Sequence, residues 1–220
     1  MAAPPDTYRT LSGPSTGEFR DRGSKFLAYA FPVYAEGEIN AHLEEVRKIH
    51  PKARHHCYAY RLGLDGNTFR ANDDGEPSGT AGRPILGQID SFGLCNVLIV
   101  VTRYFGGTLL GTSGLINAYK LSAAAALDNA AIIEKTVEEV YRLTFDYALM
   151  SPVMNAIKSL SLEMISQDFG ERGQVDIAIR QSESEAALRQ LKAAVAGVYL
   201  EEVEGLGAIE GFEVGFCGLR

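Results

Sequence analysis

In this chain of 220 residues, the side chains whose types and spacing suit chemistry gather between Lys48 and Tyr119. Asp73, Asp74 and Glu76 form an acidic trio, a combination that can hold Mg2+ or move protons. Asp-Asp-Gly-Glu-Pro is equally an ordinary turn. The stretch from Asn72 to Tyr119 carries nine of the 23 glycines, eight of them in two segments, NDDGEPSGTAGRPILGQI and VTRYFGGTLLGTSGLINAYK. Glycine at that density weakens regular structure unless the backbone must turn sharply or approach something closely. A strand ending at Arg103, closed by Gly106-Gly107 and followed by a helix capped by Thr112 or Ser113, would point free amide N–H groups outward. With Arg83 in the preceding loop, such a bend suits phosphate. The same glycines would also serve simple close packing of strand on helix. The segment contains no phosphate-binding G-x-x-x-x-G-K-[ST], and its spacing does not match a dinucleotide fingerprint.

A second cluster lies upstream. Lys48, His50, Lys52, Arg54, His55 and His56 make the densest basic stretch, followed by Tyr58 and Tyr60. Cations beside alternating aromatics can grip single-stranded RNA through phosphate contacts and base stacking. A solvated helix end running into a strand with core tyrosines would read the same way. Adjacent His55 and His56 on a strand face opposite sides, which argues against a shared metal. Ser78 lacks a base that spacing alone identifies. The C-terminal half shows no catalytic constellation, and Glu201-Glu202-Val203-Glu204 reads as a solvated loop. The expectation is therefore a binding protein rather than an enzyme, with no catalytic residue, metal or cofactor. Its phosphate- or nucleic-acid-binding residues are Arg54, His55, Arg83, Arg103, Gly106, Gly107, Thr112 and Ser113.

The elements that must position these residues follow from periodicity. Residues up to Gly23 are polar and turn-rich and read as a loose arm. Lys25–Tyr34 is strand-like, and Glu36–Ile49 is an amphipathic helix with Ile39, Leu43, Val46 and Ile49 on one face. His56–Leu62 and Asn67–Ala71 form a hairpin around Gly63-Leu64-Asp65-Gly66. A short helix falls near Gly79–Ile89. Asn96–Tyr104 is a strand buried on both faces, and an alanine-rich helix spans Gly114–Asn129. The pattern then restarts: strand Thr136–Ala148, helix Ser151–Leu160, strands Leu162–Asp168 and Gln174–Arg180, helix Ser184–Val195 and a strand near Ile209–Phe216. That order, βαββαβ, is the ferredoxin-like split motif. The boundaries implied are an arm over 1–23, a first domain over 24–134 and a second over 135–220.

Charge divides the chain at the same place. Up to Lys135 there are 14 Lys and Arg against 14 Asp and Glu; from Thr136 onward there are 7 against 14, so the second half holds the entire net charge of −7. No apolar run approaches the roughly 20 residues of a membrane helix, and Met1–Asp6 lacks the basic start of a signal peptide. The cytoplasm is the expected compartment. Cys57, Cys95 and Cys217 are widely spaced and odd in number, which suggests reduced thiols, with Cys57 and Cys95 buried in strands.

Three stretches resemble a known family. DDGEPSGTAGRPIL, VLIVVTRYFGGTLLGTSGLINAY and ARHHCYAYR together resemble the signature of the IMPACT/YigZ family and cover most of Lys25–Asn129. The resemblance implies an α+β protein with two domains. The first belongs to the left-handed βαβ ribosomal-protein-like superfamily; the second is ferredoxin-like. It also implies a role near translation, with RNA or the ribosome as partner and no membrane. Eukaryotic relatives act by binding a co-activator of a stress kinase, so a regulatory protein partner is the second expectation. An enzyme acting on a phosphorylated small molecule, or a purely protein–protein module, are the alternatives. One departure stands out: Ser113 and Asn117 replace glycine and arginine found in many relatives, which removes a cation beside the glycine loop.

Overall fold

The computed structural model describes residues 6–64 and 66–220. The expectation for the first five residues, and for Asp65 in the hairpin turn, lies outside the described residues. The chain divides into two compact units, one spanning Tyr8–Lys135 and the other Thr136–Arg220 with Asp6 and Thr7.

The first unit begins differently from its sequence reading. Residues expected to form a loose arm build β1 (Thr7–Leu11) and β2 (Ser15–Asp21). Composition misled because polar residues can occupy an edge strand whose inner face is covered: β2 pairs with β3 (Ser24–Pro32), while Leu11 joins the core. The remaining elements are α1 (Glu36–Ile49), β4 (His55–Leu62), β5 (Thr68–Asn72), α2 (Gly82–Ser91), β6 (Val97–Tyr104), α3 (Gly111–Asp128) and β7 (Ile132–Thr136), the last paired with β1. The main sheet runs β2-β3-β6-β4-β5, every neighbour antiparallel.

Alternation along the strands sorts the core into two layers. Phe26, Ala28, Cys57, Ala59, Val97, Ile99 and Val101 face α2 and α3. Phe31, Tyr58, Leu98 and Val100 face α1 through its stripe of Ile39, Leu43 and Val46. β6, covered on both sides, is the expected doubly buried strand. Each large apolar side chain buried in this way contributes about 1.5–3 kcal/mol relative to exposure. Ile49, the last residue of the predicted stripe, does not join this layer and is 55% exposed. Cys57 is fully buried in β4, but Cys95 is only half-buried and precedes β6; Cys217 is exposed.

The second unit contains β8 (Glu138–Phe145), α4 (Met150–Ser159), β9 (Glu163–Phe169), β10 (Gly173–Arg180), α5 (Ser184–Ala196) and β11 (Phe212–Leu219). Its antiparallel sheet runs β11-β8-β10-β9, which in the unit's own numbering is 4-1-3-2, the ferredoxin-like arrangement. Leu143, Phe145, Val175, Ile177 and Ile179 pack under Val153, Ile157, Leu191 and Val195. The single strand expected over Thr136–Ala148 is two, because the chain changes partners at Val137: β7 pairs with β1, whereas β8 pairs with β10 and β11. Glu201–Glu204 lies in a 3-10 turn rather than an irregular loop. Among the described residues no helix is long and apolar enough to cross a membrane.

Candidate nucleic-acid interface

Because β6 runs antiparallel to both β3 and β4, its last residues meet the first residues of both. Tyr104 lies opposite Lys25, and Arg103 lies between Phe26 and His55. Arg103 shares parity with Ile99 and Val101, and His55 with Cys57 and Ala59, so both point to the α2/α3 face. Together with Arg54, they line a hollow of about 230 Å3 whose remaining walls are Phe105 and Leu109. Phe105 is 52% exposed and Leu109 82%. Three of the expected site residues are thus brought together, and two apolar neighbours were not foreseen.

Arg103 is not the open cation that the sequence reading expects. It is 7% exposed, and its Nη1 donates to Glu76 Oε1 at 2.6 Å. Strand parity explains this: an arginine on a face otherwise filled by valine and isoleucine must bring a counter-charge inside. Glu76 also accepts from the Tyr119 hydroxyl at 2.8 Å, and the Cys57 Sγ lies 3.3 Å from that hydroxyl. Burial pushes both the Tyr119 hydroxyl and the Cys57 thiol upward, so each stays protonated. The guanidinium is flanked by the rings of Phe26 and Phe105, with centroids 5.5 and 5.7 Å away.

The acidic trio is consumed by architecture. The Asp73 carboxylate accepts from the backbone N–H of Gly79 (2.8 Å), Ala81 (3.0 Å) and Gly82 (2.8 Å), anchoring the start of α2. Burial alone would raise its pKa, but those amides outweigh burial and hold it below the usual carboxylate value. Asp74 Oδ2 accepts from His56 N at 2.6 Å, and the Asp74 carbonyl pairs with His55 Nδ1 at 2.8 Å. With all three carboxyl groups occupied in this way, the arrangement is a tied turn rather than a free acid–base pair.

The glycine bend is also tied down. A Cβ on Gly106 would lie 1.9 Å from the Gly23 carbonyl carbon, and Gly106 N donates to Ser24 Oγ at 3.1 Å. Gly106 therefore permits close backbone contact and does not offer its amide outward. Gly107, with φ of +89°, makes the turn and is exposed. Thr112 and Ser113 are not caps. α3 starts at Gly111 after Leu110, without a side-chain cap, and both hydroxyl residues lie exposed in its first turn. Arg83 is exposed near the start of α2, where its charge acts on Asp73, and it does not line the hollow. Among the described residues no group of three or more His, Cys, Asp or Glu is placed to hold a metal ion.

The basic segment splits similarly. His56 is buried on the α1 face, its Nε2 within 3.2 Å of the His50 carbonyl. The His50 ring lies between the hydroxyls of Tyr29 (2.5 Å) and Tyr104 (2.9 Å). Only Arg54 and His55 from this stretch reach the hollow.

Comparison with known proteins agrees with this architecture. The Impact N-terminal domain matches residues 22–127. The IMPACT family member YvyE of Bacillus subtilis is 31% identical over 180 residues, 82% of this chain and 83% of that protein. A crystal structure of a hypothetical protein superposes with a TM-score of 0.70 at 29% identity, covering 88% of this chain and 93% of its own. The two-domain translational regulator Yih1 is 30% identical over 56% of this chain and 47% of its own, with a TM-score of 0.33, too low for the superposition to bear on the fold. On the strength of the long match to YvyE, this chain belongs to the IMPACT family.

Proposed function

We propose that this protein is a cytoplasmic regulator of translation that associates with RNA or the ribosome through the end of the sheet where β3, β4 and β6 meet. The observation that carries the reading is the convergence of Arg54, His55 and Arg103 on one hollow rimmed by exposed Phe105 and Leu109. Guanidinium groups beside an exposed aromatic ring supply the two contacts that a single strand offers, phosphate and base face. Arg54 is exposed, and no carboxylate pairs with it among the described residues. The translational element of the reading rests on family kinship, and the nucleic-acid element on this geometry. The commitment of Asp73, Asp74 and Glu76 to internal bonds disfavours an acid–base enzyme at the same place.

The test is affinity for ribosomes and for a short unstructured RNA, measured against salt. Neutralising phosphates releases counterions, so the log of the association constant should fall linearly with log salt, with a slope of about −0.7 per phosphate contact. Absence of RNA binding, together with absence of ribosome co-sedimentation at low salt, would remove the proposal.

A further inference from the structure

The guanidinium of Arg103 is only partly used. Glu76 takes Nη1 from one side. Nε is buried without any partner, and nothing among the described residues accepts from Nη2. Nε–H and Nη2–H together form the side-on fork that meets two oxygens of a carboxylate or phosphate at once. A buried donor left unmade is costly, and native proteins rarely keep one without a reason. This one belongs to a residue whose side chain is 8% exposed and which lines a hollow shared with the unpaired Arg54.

His55 adds direction. The Asp74 carbonyl can only accept, so the His55 Nδ1 that meets it at 2.8 Å carries the proton. In the neutral ring, Nε2 then bears a lone pair, free to accept from a ligand hydroxyl or amino group. Phe105, held by the Gly106–Gly23 backbone contact, sits over the Arg103 guanidinium yet leaves half of its surface exposed.

We infer that the hollow is a pocket for a single ribonucleotide. Its phosphate sits on the unpartnered edge of Arg103 and on Arg54, a ribose hydroxyl donates to His55 Nε2, and the base stacks on the exposed face of Phe105. This rests on the reading of the protein as RNA-associated and sharpens it: one nucleotide is seated, and the rest of a strand passes over the surface.

The experiment uses the full chain with adenosine 5′-monophosphate, its 2′-deoxy analogue, inorganic phosphate and an eight-residue ribo-oligonucleotide as separate probes. Calorimetry is paired with the arginine Nε–H signals in NMR spectra. The expected result is a shift of the buried Arg103 Nε–H signal with adenosine 5′-monophosphate, tighter binding of the ribo than of the deoxy form, and a loss of about tenfold or more in Arg54→Ala, a charge-assisted contact. Phe105→Ala, an exposed change, should weaken the nucleotide but leave phosphate binding unaltered. Oligonucleotide binding with no Arg103 shift, and no mononucleotide binding at millimolar concentration, would overturn the pocket while leaving RNA association standing. Mononucleotide binding without any RNA or ribosome binding would support the pocket and sink the broader reading. Equal binding of phosphate and nucleotide would overturn the base and ribose contacts.

Discussion

The two units treat their arginines in opposite ways. In the ferredoxin-like unit all five meet carboxylates: Arg142 with Asp176, Arg172 with Asp146 and Glu213, Arg180 with Asp6, Arg189 with Glu204, and Arg220 with Glu138 and Glu163. In the first unit only Arg20, Arg61 and Arg103 do so among the described residues, and Arg54 and Arg83 stand exposed without one. An acidic domain that neutralises its own cations has few to offer a phosphate backbone, whereas a charge-balanced domain that leaves them open can bind one. Net charge alone would have hidden this, because what matters is which charges are already satisfied.

The greatest stress on that contrast is to break the one buried pair. Glu76→Gln keeps the shape but strands the Arg103 charge inside the protein, and should cost about 3–5 kcal/mol in urea unfolding. A loss below 1 kcal/mol would mean that the Arg103 charge is already solvated through the hollow. Gly106→Ala comes next. Its methyl group would collide with the Gly23 backbone, so about 1–3 kcal/mol should be lost, together with RNA affinity, as the support under Phe105 shifts.

Acid should act on the first unit before the second. Burial holds His50 and His56 below the ordinary histidine value of 6.5. As pH falls below that value the unfolded chain takes up protons that the folded unit resists, so stability should decline with pH from there. Asp73, held below 3.8 by its amide donors despite burial, adds a stabilisation that is complete above that value and is lost as pH falls below it. A pH series of unfolding midpoints, repeated with Asp73→Asn, should show the lower limb flatten in the variant. The smallest effect is expected at the surface of the second unit. Removing the half-buried surface residue Arg172 should move the midpoint slightly and RNA affinity not at all.

Much of the fold was legible because it rests on periodicity. The α1 stripe, the doubly buried β6 and the βαββαβ order all follow from residue spacing. The arm was misread because β1 and β2 gain their stability from neighbours distant in sequence, which local composition does not report. At the site, the glycine-rich stretch follows different physics from that expected: Gly106 is there for contact with Gly23, and Asp73 supplies the anchor expected of Thr112 or Ser113 at a different helix. The need for a partner could have been anticipated from parity, since an arginine in register with Ile99 and Val101 demands an acid, and Glu76 of the trio supplies it. Phe105 and Leu109 gave no such signal, because exposure of a loop side chain depends on how the backbone around it is held.

The central claim is that RNA is met by the first unit at the Arg54–Arg103 hollow and not by the second. Charge reversal in the full chain tests it most directly, by comparing the RNA affinity of Arg54→Glu with that of Arg172→Glu under one salt condition. The account predicts a drop of about tenfold or more for the first and an unchanged constant for the second. Equal losses, or a loss confined to Arg172→Glu, would contradict it.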